Sequence, residues 1–138
     1  MNVDPVLAAA LAPLLRDLEA GHVAEPRIGN AGPRLDSLGE PGLTLYTEDG
    51  SGWGIHVQAD APYPEQLANL ADQVQEWAVE ALWSQGKSAV WPQCPDHPDS
   101  HPLQPHVADE YTAAAHAVWR CPKSGRAIAP IGELPQPR

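Results

Sequence analysis

The chain has 138 residues, enough for one globular domain with its own core or for one domain with a small appendage. Its net charge of −10 sits in residues 1–85, where 13 of the 18 acids meet only Arg16, Arg27 and Arg34, while residues 86–138 balance five bases against five acids. That distribution sets the first part against phosphate backbones and anionic membranes, and no apolar run is long enough to span a bilayer.

Asp4 precedes any Arg or Lys, so the N-terminus lacks the basic start of a signal peptide. The expectation is a cytoplasmic protein with reduced thiols. There are 16 Pro and 11 Gly, no Phe, and five Trp that carry most of the aromatic load. With Phe missing, the tryptophans are expected to be the large core residues, with one or two at the surface.

Asp4-Pro5 reads as an N-cap and the first residue of a helix. Leu7, Leu11, Leu14, Leu15 and Leu18 follow at helical spacing. Pro13 falls inside this pattern, which predicts a kink or a split, and Gly21 is the expected stop. Residues 24–42 are broken by Gly and Pro and read as a loop. Two strands, 43–47 and 54–58, flank a turn-rich link and read as a β-hairpin.

A long amphipathic helix is predicted over 64–85. Leu67, Leu70, Ala71, Val74, Trp77, Ala78, Ala81 and Leu82 form its apolar stripe, and Gly86 ends it. Gln66, Asn69, Asp72, Gln73, Gln75, Glu76 and Glu80 are placed on the opposite, polar face. Residues 88–92 read as a short strand, 93–110 as irregular, and 115–120 with 126–131 as a second hairpin. The fold expected is α+β: an N-terminal helix, an antiparallel sheet packed by one long amphipathic helix, and a metal-stapled β-hairpin tail. The division expected is an acidic α+β part over 1–87 and a metal-binding module over 88–138, packed as one unit.

The chemistry lies in the tail. Cys94-Pro-Asp-His97-Pro-Asp-Ser-His101 and Cys121-Pro-Lys-Ser124-Gly125 each place a cysteine at the end of a strand, with Pro directly after it. Pro fixes φ after the ligand, and Gly125 permits the sharp return of the chain. Two thiolates and two imidazoles suit tetrahedral Zn2+. Ser124 stands where the second knuckle would hold its second ligand, so one ligand must come from elsewhere. His101, His106 and His116 are all near in sequence, and Pro98 and Pro102 stiffen the loop around His101. The metal ligands read from the chain are therefore Cys94, His97, His101 and Cys121. A Cys94–Cys121 disulfide and two spectator thiols are the alternatives. His22 and His56 have no evident partner.

These knuckles resemble those of zinc ribbons. The Cys-Pro-x-His-x-x-x-His-Pro-Leu pattern, with Trp-x-Cys-Pro and Ile-Gly-x-Leu, is also similar to small actinobacterial proteins of no assigned activity. The resemblance covers about a third of the chain and implies a stapled β module and no particular reaction.

No His-Glu-x-x-His or Pro-Cys-x-x-Cys deaminase signature is present. Gly50-Ser51-Gly52-Trp53-Gly54 has neither phosphate-loop nor nucleophile-elbow spacing, and Glu48-Asp49 reads as a turn. The function expected is that of a small intracellular, non-enzymatic protein with a structural zinc site, acting on a protein partner or within a larger complex. Two alternatives stand beside it. One is a metal-dependent hydrolase acting on a small molecule, although Asp96, Asp99 and Glu110, the carboxylates near the ligands in sequence, read as solvated loop residues. The other is a nucleic-acid accessory using Trp119, Arg120, Lys123 and Arg126.

Overall fold

The computed structural model describes residues 3–32 and 39–135. Helix α1 runs Pro5–Ala20, and the Asp4 carboxylate accepts from Val6 N at 2.8 Å, as its capping residue should. Pro13 neither splits the helix nor leaves its buried face. At the other end, His22 and not Gly21 takes the left-handed conformation, with φ +56°. Val23 N then bonds to Leu18 O, and His22 N to Glu19 O. The helix does stop at Gly21, as expected, and this glycine has a second role, because a methyl group there would meet the Trp91 ring at 2.7 Å.

Strands β1 (Arg27–Asn30), β2 (Gly42–Tyr46) and β3 (Gly52–His56) form an antiparallel sheet in that order. The β2–β3 hairpin matches the expected one, with Leu43 opposite Ile55 and Leu45 opposite Trp53. β1 corrects the reading of 24–42 as loop. Ile28 pairs with Leu45, and Gly29 lies against the Tyr46 ring, which an added methyl group would meet at 2.5 Å. The part of that expected loop over 33–38 lies outside the described residues.

Helix α2 runs Tyr63–Ser84 and buries the predicted stripe. It ends on Gly86 at φ +69°, with Lys87 N on Leu82 O and Gly86 N on Trp83 O. Its glutamines overturn the simple two-faced picture. Gln66 is buried, and its Nε2, with two hydrogens, lies 3.0–3.2 Å from the carbonyls of Gln58, Ala59 and Ala61, which share them. Gln73 bonds both backbone groups of His56, taking the place of a neighbouring strand at the edge of β3. Gln75 donates to Trp91 O and Leu103 O. Backbone groups thus hold part of the polar face.

The second antiparallel sheet is β4 (Gln104–Ala108), β5 (His116–Arg120) and β6 (Ala127–Pro130). β4 corrects the expectation that 93–110 holds no regular structure. Pro105 is tolerated because β4 is an edge strand, needing its ladder bonds on one side only. Residues 88–92 form no strand; the nearby pairing is a single bridge between Gln93 and Pro102.

The fold is α+β, and α2 packs against α1, β3, β4 and β5, so it joins the two sheets. One buried cluster runs from Leu7, Leu14 and Leu18 through Leu70 and Trp77 to Trp91, Cys94, Trp119 and Cys121. Trp77, Trp91 and Trp119 are core residues, whereas Trp83 is 72% exposed.

Candidate metal centre

Three of the four expected ligands come from one loop. Leu103 N bonds to Pro92 O at 2.9 Å and closes its base, next to the Gln93–Pro102 bridge. Within it, His97 N bonds to Cys94 O, and Ser100 N to His97 O. These turns bring Cys94, His97 and His101 to one side. Gln93 braces the loop internally, with Oε1 accepting from Asp99 N at 2.9 Å.

Cys121 follows directly on β5. Its N bonds to Arg126 O and its O accepts from Gly125 N, while Gly125 at φ +76° makes the return. The second knuckle is therefore built as its residue types imply.

Cys94, His97, His101 and Cys121 come together, and their ligand atoms all lie within 4.8 Å of one another. His97 Nδ1 is 3.6 Å from each sulfur, His101 Nε2 is 3.9 Å from Cys121 Sγ, and the two ring nitrogens are 3.1 Å apart. Both cysteines are free thiols with no exposed surface, and both histidines are partly buried. The four residues are positioned to bind a metal ion.

Groups around the ligands favour this role. His101 Nδ1 faces Pro102 O at 3.1 Å, which places the ring proton there and leaves the Nε2 lone pair for the cluster. Ser124, at the ligand position it cannot fill, acts through the sulfur instead. Its hydroxyl and amide hold the Cys121 thiol at about 6, with the Lys123 amide assisting and burial opposing. Ser124 N lies 3.5 Å from Sγ.

The remaining candidates are elsewhere. His116 Nδ1 donates to Ala114 O, and His106 lines a separate groove beside α2. His56 does have a partner, Glu40, 2.5 Å from its Nδ1. Asp96 is held by Arg126 in a two-point pair at 2.8 and 3.1 Å, which keeps its carboxyl below the usual range. Asp96 is thus poorly suited to act as a base near neutral pH. Trp119 is wholly buried and offers no face for stacking on a base.

One residue that the sequence reading passed over matters here. Asp17 on α1 is 1% exposed and accepts from Trp119 Nε1 at 2.7 Å, Gly132 N at 2.6 Å and Leu134 N at 3.1 Å. Its signal was in the chain, an acid at helical spacing within a leucine stripe. No helix among the described residues is long and apolar enough to cross a membrane. Compared with protein-family models, with characterised proteins and with solved structures, the chain matches none.

Proposed function

We propose that this is a small intracellular, non-enzymatic protein that acts by binding a protein partner or joining a larger assembly. In this reading a structural zinc ion held by Cys94, His97, His101 and Cys121 staples a zinc-ribbon-like tail. The observation that carries the proposal is the spacing of the four donors. Tetrahedral zinc, with Zn–S of about 2.3 Å and Zn–N of about 2.0–2.1 Å, requires S···N edges of about 3.6 Å and an N···N edge of about 3.3 Å. The corresponding separations are 3.6, 3.6 and 3.9 Å for sulfur to nitrogen and 3.1 Å between nitrogens.

Four protein donors complete a tetrahedral shell and leave no position for a reactive water, which favours a staple over a catalyst. The pairing of Asp96 with Arg126 points the same way. The acidic first part and the exposed indole of Trp83 suit a protein partner better than a nucleic acid.

Cys94→Ser and His97→Ala test the assignment. A staple predicts that each variant loses amide-exchange protection across β4, β5 and β6. A hydrolase predicts that protection survives while activity on small-molecule esters, amides or phosphoesters disappears.

A further inference from the structure

We infer that Gln75, a residue of α2 that is not itself a ligand, positions the metal loop and sets the affinity of the site. This rests on the metal-site reading above. The loop supplying Cys94, His97 and His101 leaves the core at Trp91 and returns to it at Leu103, and both of these residues are buried. The Gln75 carboxamide donates to Trp91 O at 3.1 Å and to Leu103 O at 2.7 Å. A carboxamide nitrogen carries two hydrogens, so one side chain serves both carbonyls. It thereby fixes the separation of the two ends of the loop from the side of the helix.

Of the other restraints at the base, Leu103 N on Pro92 O and the Gln93–Pro102 bridge tie the loop to itself, and Trp91 Nε1 on Asp17 O ties its first end to α1. Gln75 ties it to α2. Without that anchor the two carbonyls lose their side-chain partner, and the loop must be ordered when the metal binds. The cost then appears in the affinity. Residues outside the coordination shell that orient ligands typically alter metal affinity by about 10–100-fold when replaced.

Two substitutions separate positioning from general packing. Gln75→Met keeps the length and most of the apolar contact but removes both donors. Gln75→Glu keeps the shape and turns a carboxylate oxygen toward the two carbonyls. Metal-free protein is titrated with Zn2+ against a chromophoric chelator, and with Co2+ read through its visible ligand-field bands.

The expected result is a Zn2+ Kd raised about 10–100-fold in Gln75→Met and further in Gln75→Glu. Co2+ bands should weaken as the tetrahedral arrangement loosens, with helical ellipticity close to wild type. A Kd within about twofold of wild type and unchanged Co2+ spectra would overturn the inference, even if the thermal midpoint fell, because a merely structural role moves only the midpoint. Should Gln75→Glu fail to fold, Gln75→Met decides alone. A wild-type protein that takes up neither metal overturns the metal-site reading together with this one. Wild-type binding with unaffected variants overturns only the role of Gln75.

Discussion

The indole Nε1 of Trp119 donates to the buried carboxylate of Asp17 at 2.7 Å, joining residues 102 positions apart. Trp119 lies two residues before Cys121, so this bond fastens the strand that delivers a ligand to the N-terminal helix. The same carboxylate holds Gly132 and Leu134, and the carbonyl of Asp17 accepts from Trp91 Nε1 at 3.3 Å. One residue of α1 thus meets the approach to both cysteines.

Asp17→Ala leaves the buried Trp119 indole and the two half-buried amides of Gly132 and Leu134 without their acceptor. At roughly 1–3 kcal/mol for the buried indole and less for the two half-buried amides, the expected loss is about 2–4 kcal/mol. Urea denaturation of the metal-loaded protein, followed by tryptophan fluorescence, measures it. A loss below about 1 kcal/mol would show that water or repacking replaces the carboxylate.

The same residue gives a pH dependence. Burial pushes the Asp17 carboxyl above its ordinary value, more than the Trp119, Gly132 and Leu134 donors lower it. The folded state therefore keeps this proton to higher pH than the unfolded chain does. Between the ordinary carboxylate value, about 4, and the raised folded value, this group's contribution to stability falls as pH rises, then levels off. Measured against Asp17→Asn, which does not titrate, the wild type should lose relative stability with rising pH across that window. A relative gain would contradict the account.

Gly21→Ala tests a close approach and not a backbone angle, since Gly21 has φ −89°. The added methyl would sit 2.7 Å from both Cδ1 and Nε1 of Trp91. The ring must shift, and the bond from its Nε1 to Asp17 O should weaken. The expected cost is about 1–3 kcal/mol, read from the thermal midpoint together with a change in near-ultraviolet tryptophan signal.

Ser124→Ala should raise the Cys121 thiol from about 6 toward its ordinary range, because the Ser124 hydroxyl is the largest of the groups holding it down. Thiolate absorbance near 240 nm follows the titration in metal-free protein under conditions where amide exchange shows the β5–β6 turn still folded. Wild type should show one step close to pH 6, and the variant should show that step displaced upward. An unmoved step would mean that the backbone amides alone set it.

Elements with local signals were legible in the sequence. The α2 stripe, the Asp4 cap and the β2–β3 hairpin follow from periodicity and turn residues, and Cys94 and Cys121 from their matching Cys-Pro knuckles. β1 and β4 were not legible, because each is a strand only through a distant or later partner, and Pro105 masks β4. The roles of Gln66, Gln73 and Gln75 were hidden for a related reason. A glutamine on a polar helix face looks the same whether it meets water or a buried carbonyl. In the sequence only loop stiffness separates His101 from His106 and His116, and the fold supplies the physical reason: the closed base of the metal loop turns His101 toward Cys121, while β4 and β5 carry the other two away.

In the proposed reading, Cys94, His97, His101 and Cys121 hold one zinc ion. Metal content of protein purified without added metal, measured by atomic spectrometry beside thiol titration under native conditions, tests it most directly. The account predicts one zinc per chain and two thiols that react only after chelation or unfolding. Metal-free protein with two freely reactive thiols would contradict it.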